Sequence, residues 1–329
     1  MNKQRIFSGM QPSGKFHLGN YMGALENWIH LQDKYECFFS IVDLHALTSM
    51  YEDTRLLKEY TYDMALDWLS AGLDPEKNVI FVQSEVPEHS ELHLLLSMMT
   101  PLSWLERVPT YKDKLQNLGD AGKEINTYGF LGYPELMTAD IILYKAEVVP
   151  VGEDQIPHVE LCREIIRRFN NFYGDVFPEP KVRLSKAPTL PGTDGRKMSK
   201  SYGNTLPFAA TESELWEKLR GMVTDPQRVR RTDPGNPDVC PVFALQKLFN
   251  LEEVPMIDAE CRTAGIGCVD CKKRLLVKMA AILEPIHAKR SELEGRPEYV
   301  REILTYGAER ARKVDRATME EVRGAMGFY

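Results

Sequence analysis

The sequence predicts an α/β fold built on a doubly wound parallel sheet, with a second, all-α domain after it. Three observations carry this expectation. Short apolar runs without alternation, as in strands buried on both faces, recur through the first 151 residues. Stretches with helical spacing separate them, and such alternation builds a parallel sheet covered by helices. Beyond residue 205 no convincing strand pattern remains. At 329 residues the chain has room for two domains, each able to bury its own core.

In chain order, Arg5 to Met10 reads as a strand that breaks at Gln11-Pro12-Ser13-Gly14, and a helix with Met22, Leu25, Trp28 and Ile29 on one face follows. Cys37 to Val42 and Asn78 to Ser84 read as buried strands. Between them Thr54 to Ala71 has helical spacing, and Gly72 stops it. Val148 to Val151 is a fourth strand, ahead of a helix ending near Tyr173. From Pro178 to Asn204 the composition turns to Pro, Gly, Lys and Ser, which predicts a mobile loop rather than a packed element. Helices are then expected over Leu215 to Val223, Val242 to Leu248, Arg274 to Leu293 and Glu298 to Met326. The expected division is a Rossmann-like domain over residues 1–205 and a helical domain over 206–329.

Apolar residues at 43% and charged residues at 27% exclude disorder and fibrous repeats. The net charge of −7 argues against gripping nucleic acid with the whole surface. Residues 207–329 carry 20 Lys plus Arg against 20 Asp plus Glu, so all of that excess lies in the first 206 residues. The uncharged run from Leu92 to Leu105 is shorter than the roughly 18 residues needed to span a bilayer, and Pro101 breaks it. Met1 to Lys15 has no apolar core of a signal peptide, so a cytoplasmic protein without membrane contact is expected.

Gly9 to Lys15 (GMQPSGK) follows the first strand and matches the P-loop pattern except that Phe16 replaces the magnesium-binding Ser or Thr, leaving an NTPase as one reading. The other reading uses His17-Leu18-Gly19-Asn20 at the helix start. There the exposed N–H groups attract phosphate, Gly19 admits close approach, and His17 and Asn20 offer donors. An ordinary helix cap is the bland alternative. Lys197-Met198-Ser199-Lys200-Ser201 shifts the balance, because two lysines on a loop after the sheet can close over a triphosphate.

HLGN and KMSKS together resemble the two signatures of class I aminoacyl-tRNA synthetases. GMQPSG, YPELMTADI and VPVGEDQ occur with them in the order and spacing of the bacterial tryptophanyl-tRNA synthetase family. The resemblance covers most of the chain, with tyrosyl enzymes the nearest confusable relatives. It implies a ligase that forms tryptophanyl-adenylate from L-tryptophan and ATP with Mg2+, then charges tRNA(Trp), and that works as a homodimer. Gln11, Pro12, Ser13, Gly19 and Asn20 would line ATP, together with Gly152, Glu153, Asp154, Leu190, Lys197, Met198, Ser199, Lys200 and Ser201. Lys197 and Lys200 would stabilise the migrating pyrophosphate, with His17 and Asn20 assisting. Tyr133, Met137 and Asp140 fall at i, i+4 and i+7, one face of a helix. The resemblance makes Asp140 the acceptor of the indole N–H, with Gln155 and Tyr133 on the α-ammonium and Phe7 against the ring.

Cys240, Cys261, Cys268 and Cys271 form a C-x20-C-x6-C-x2-C pattern in the helical part. Such a quartet points to a metal rather than disulfides, with four buried thiols the bland alternative. Three cysteines in one short run plus a remote fourth suit a 4Fe–4S cluster better than Zn2+, which more often uses two close pairs. The resemblance points the same way, to the subset of bacterial tryptophanyl enzymes with a cluster here. Cys37 and Cys162 read as core residues. Gln227 to Arg231 and Lys272 to Arg274 are basic stretches that would serve as a tRNA platform, against plain solvent exposure. Among rivals, a non-catalytic iron–sulfur RNA-binding protein leaves KMSKS unexplained, as does the NTPase.

Overall fold

The computed structural model describes residues 3–109, 111, 126–185 and 189–328. Five strands, β1 (Arg5–Met10), β2 (Glu36–Ile41), β3 (Asn78–Val82), β4 (Val148–Val151) and β5 (Lys181–Leu184), form one sheet in the order β3-β2-β1-β4-β5. Every neighbouring pair is parallel, and the β1/β2 register runs from Arg5 opposite Glu36 to Met10 opposite Ile41. The strand order reverses between β1 and β4, which opens a crevice at their carboxyl ends. This is the Rossmann-like architecture expected.

β2 and β3 are buried along nearly their whole length, which is why they read as unbroken apolar runs. β5 departs from expectation. It lies inside the stretch expected to be an unpacked loop, and its residues are mostly exposed because it is the edge strand beside β4. An edge strand buries too little side chain to leave an apolar run. Parts of that stretch are also packed: Leu190 and Met198 are buried, and Pro191 bridges Lys197, while residues 195–197 and 201–203 are exposed. Residues 186–188 of the same stretch lie outside the described residues.

Helices cover the sheet. Residues 18–31 wind as an α-turn, a π-turn over Tyr21–Leu25, and an α-helix, with Trp28 stacked 4.7 Å from Phe39 of β2. The helix Leu57–Ser70 ends before Gly72, whose φ of +110° lets the chain turn into β3. Asp43–Met50, Glu88–Ser97 and Val254–Arg262 are helices that the sequence reading left out.

Beyond residue 205 all described elements are helical, chiefly Glu212–Gly221, Pro241–Phe249, Cys268–Glu294 and Pro297–Met326. The last helix returns to the sheet. A Cβ at Gly307 would sit 1.8 Å from the Ile80 carbonyl oxygen, so helix and strand backbones touch there. Ala308, Ala311, Met319 and Val322 fill one core with Phe38, Val79 and Phe81. Arg290 of the preceding helix reaches Asp63 at 3.1 Å and Asp67 at 2.5 Å, tying the helical part to Leu57–Ser70. Burial lifts the Asp67 carboxyl to about 7 against the pull of Arg290.

Candidate active site at the carboxyl ends of the strands

A cavity of about 1130 Å³ opens at the crevice between β1 and β4. The carboxyl ends of three strands supply its floor: Met10 ending β1 and Gln11 after it, His45 just past β2, and Glu153 to Gln155 after β4. Parallel strands end with their chain directions aligned, so their outgoing loops converge on one place.

On one side Asn20 caps the helix start, its Oδ1 accepting the His17 backbone N–H at 3.2 Å. His17 is buried; burial, reinforced by the charge of Lys200, holds its imidazole down to about 4, so it is neutral. Gly19 is pressed between the His17 ring and the Met198 sulfur, where a Cβ would stand 3.0 and 3.4 Å from them. The Lys200 Nζ donates to the Gly14 carbonyl oxygen at 2.9 Å, and burial brings its ammonium down to about 8. Asn204 shapes this strap. Its Oδ1 accepts from the Ser199 N–H at 2.8 Å, and its Nδ2 donates to Asp194 at 2.7 Å and to the Lys197 carbonyl at 3.1 Å. Lys197 itself is exposed at the cavity rim.

On the other side the helix Tyr133–Leu143 presents Tyr133, Met137 and Asp140 to the cavity. Asp140 is 1% exposed. Its Oδ2 accepts from His45 Nε2 at 2.9 Å, and its Oδ1 accepts from His89 Nδ1 at 2.7 Å and Gln83 Nε2 at 2.7 Å. Burial alone would raise this carboxyl, but His89 and His45 outweigh it and hold it at about 2. A carboxylate offers about four acceptor directions, and three are taken. Burial drives the Tyr133 phenol up to about 12, and its ring meets His45 edge-on at 4.5 Å. Phe7 lines the cavity and stacks on Tyr144, with centroids 5.3 Å apart and planes 6° from parallel.

The sequence model of tRNA synthetases class I (W and Y) matches residues 1–284. The chain belongs to this family. Relatives of this synthetase include the Tryptophan--tRNA ligase of Thermotoga maritima, 54% identical over 98% of this chain and 99% of its own, and that of Aquifex aeolicus, 44% identical over 98% and 100%. Among solved structures, tryptophanyl-tRNA synthetase from Campylobacter jejuni complexed with ADP and Tryptophane superimposes with a TM-score of 0.89 at 37% identity, over 98% of this chain and all of that one.

Of the synthetase residues singled out in the sequence, the cavity gathers Phe7, Gln11, Ser13, His17, Gly19, Asn20, Tyr133, Met137, Asp140, Gly152, Glu153, Asp154, Gln155, Leu190, Lys197, Met198, Ser199, Lys200 and Ser201. Pro12 is buried and does not line it. Phe16, the residue that breaks the P-loop pattern, lies in the core edge-on to Phe208 at 5.2 Å, far from a magnesium ligand's task. His45, Gln83 and His89, the partners of Asp140, were missed. His45 and Gln83 carried a usable signal, since each follows a buried strand closely and so arrives at the ligand-binding edge.

The four cysteines lie well apart from this cavity in sequence, in the helical part of the synthetase. Burial is the first cause of the raised thiols of Cys261 and of Cys271, the latter at about 11, and Cys240 and Cys268 add to both shifts. Among the described residues no group of three or more His, Cys, Asp or Glu is arranged to hold a metal ion. The basic stretches differ from expectation. Lys272 is buried, donating to the Arg220 and Met222 carbonyls at 2.9 and 2.6 Å. Arg228 turns inward to the Cys261 sulfur at 3.8 Å and the Ile266 carbonyl at 2.7 Å. Both close unsatisfied backbone carbonyls, which leaves Lys273, Arg230 and Arg231 as the exposed charges.

Proposed function

We propose that this synthetase joins L-tryptophan to tRNA(Trp) in two steps, both centred on the cavity. Tryptophan's carboxylate oxygen attacks the α-phosphorus of ATP; the new O–P bond forms as the bond to the bridging oxygen breaks, and pyrophosphate leaves. A ribose hydroxyl of the tRNA then displaces AMP from the carbonyl carbon. No side-chain nucleophile is required, so the chain's task is to orient reactants and meet developing charge. The identity of the amino acid rests on the tryptophan–tRNA ligase relatives.

The observation that carries the assignment of roles is one cavity in which Asn20, Lys197 and Lys200 face a buried carboxylate with one acceptor direction left. Asn20 and the backbone at Gly19 take ATP, with Gln11, Ser13, Gly152, Glu153 and Asp154 around it. Lys197 and Lys200 attract the pyrophosphate. His17, being neutral, serves as a hydrogen-bond donor rather than a charge. Asp140 accepts the indole N–H; phenylalanine lacks that donor and leaves a buried acceptor unpaired, which enforces selectivity. Tyr133 and Gln155 hold the α-ammonium. Magnesium travels with ATP on its phosphate oxygens and offsets their charge.

Cys240, Cys261, Cys268 and Cys271 would be the thiolate ligands of a 4Fe–4S cluster, with Zn2+ the alternative, that would brace the helical part for tRNA once the four are drawn together, since as they stand they are not arranged to hold an ion. Its support is the C-x20-C-x6-C-x2-C spacing and the family resemblance. A homodimer and a cytoplasmic setting are proposed on the family resemblance; no helix of the described residues is long and apolar enough to cross a membrane. ATP–pyrophosphate exchange tests the reaction: it should require tryptophan, and exchange supported equally by tyrosine would overturn the substrate assignment.

A further inference from the structure

Behind Asp140 a buried polar chain runs away from the cavity. His89 spans it, with Nδ1 on Asp140 Oδ1 at 2.7 Å and Nε2 on the Tyr144 hydroxyl at 2.8 Å. The Tyr144 hydroxyl in turn interacts with Asp315, a residue of the last helix that is 0% exposed. That contact is loose, since neither Asp315 oxygen has a partner in strict hydrogen-bond geometry. A carboxylate buried with so little compensation is costly and calls for a reason.

Proton counting supplies one. Asp140 only accepts, so its link takes the Nδ1–H of His89, and the His89···Tyr144 link takes one further proton, carried on Nε2 or on the phenol. Burial raises the Asp315 carboxyl to about 7, so the far end of the chain, beside the Tyr144 hydroxyl, holds a proton more readily than Asp140 does, and His89 and Tyr144 connect the two acids. Burial works against a positive charge on His89, while Asp140, then Asp315 and Glu88, favour it and leave its acidity weakened overall. Glu88 is itself shared with Arg312 and Arg316 of the last helix, each at 3.6 Å. Tyr144 is also the floor beneath Phe7, so one side chain sets both the carboxylate and the aromatic wall of the cavity.

We propose that His89, Tyr144 and Asp315 form a positioning relay that fixes the Asp140 carboxylate for the indole N–H, making the last helix a determinant of tryptophan affinity and selectivity. The proposal rests on the reading of Asp140 given above. None of the three touches substrate; they act through Asp140 and Phe7.

The test is exchange kinetics on the full chain for Tyr144→Phe, Asp315→Asn and the double variant, with Asp140→Asn beside them. Tyr144→Phe keeps the ring stack, and Asp315→Asn keeps the shape. Each single change should raise the KM for tryptophan about fivefold to tenfold and weaken rejection of phenylalanine, with the KM for ATP within twofold. The double variant should be no worse than the poorer single, because a chain is broken only once. An unchanged tryptophan KM in both singles, additive effects, or a parallel rise in both KM values with a fall in melting temperature would overturn the relay. If Asp140→Asn impairs tryptophan selection while the other variants do not, the relay fails and the reading of Asp140 stands; if Asp140→Asn changes nothing, both fall.

Discussion

Lys200 and Gly14 are joined across 186 residues of chain: the Lys200 Nζ donates to the Gly14 carbonyl oxygen at 2.9 Å. Gly14 has a φ of +133°, a conformation that side-chain-bearing residues rarely adopt, and a Cβ there would approach the Lys200 side chain at 3.4 Å. The strap is thus latched to the turn after β1, with two of its three ammonium protons left for phosphate.

From this latch follows a rate and a pH dependence. Lys200→Ala and Lys197→Ala should each lower single-turnover adenylate formation by on the order of a hundredfold with tryptophan binding nearly intact, since in the proposed roles their charge meets the departing pyrophosphate. Burial brings Lys200 down to about 8, and the proposed role requires the charged form. Hence kcat/KM for ATP should fall as pH rises through about 8, and Lys200→Arg should move that fall to higher pH. Unaltered rates in both alanine variants would make the loop purely structural.

Glu135 predicts a pH dependence of stability. Burial raises its carboxyl to about 7 despite a hydrogen bond from Thr100, and His93 Nδ1 stays 4.0 Å away. A carboxyl raised on folding binds its proton more tightly in the folded state, so its contribution is fully present below the ordinary carboxyl range and is lost as pH rises towards 7. Glu135→Gln should therefore match the parent near pH 4 and become the more stable protein by pH 8. Urea unfolding at both values reads this out, and an equal difference at the two pH values would contradict it.

Gly307 and Gly324 lie on the same helix and should respond oppositely to alanine. At Gly307 the new methyl would collide with the Ile80 backbone, which cannot swing aside, so a loss of several kcal/mol is expected. At Gly324 nothing lies within 4 Å, and alanine should be neutral or gain up to about 1 kcal/mol from helix propensity. Thermal unfolding of the pair separates packing from propensity.

For the cysteine quartet, anaerobically purified protein should be brown and carry about four irons per chain. Cys268→Ser should lose the iron, spare pyrophosphate exchange and lower tRNA charging, since the adenylation cavity draws only on residues before Tyr202. One tight zinc per chain would favour the alternative ion. Metal-free protein with full charging activity would exclude both.

The sequence by itself determined the features written in short windows. β4 carries the expected bounds because its run VVPV is apolar and almost wholly buried, and β1, buried only at Ile6 and Phe7, carries them because the turn residues Gln11-Pro12-Ser13-Gly14 end it. The helix bearing Tyr133, Met137 and Asp140, and the two signature motifs, were legible for a similar reason: their residues are neighbours in the chain, so spacing alone fixes which share a face. Tertiary structure alone decided what depends on contacts between distant residues. β5 exists because β4 offers it a partner, not because Lys181 to Leu184 is apolar. Lys272 and Arg228, basic in sequence, were spent on buried backbone carbonyls. Asp140 is held as a carboxylate by His89 and His45, up to 95 residues away, and the last helix meets the sheet through a glycine against Ile80. Local pattern fixes which side chains face the same way; desolvation and hydrogen bonding, which act through space, decide what those side chains become.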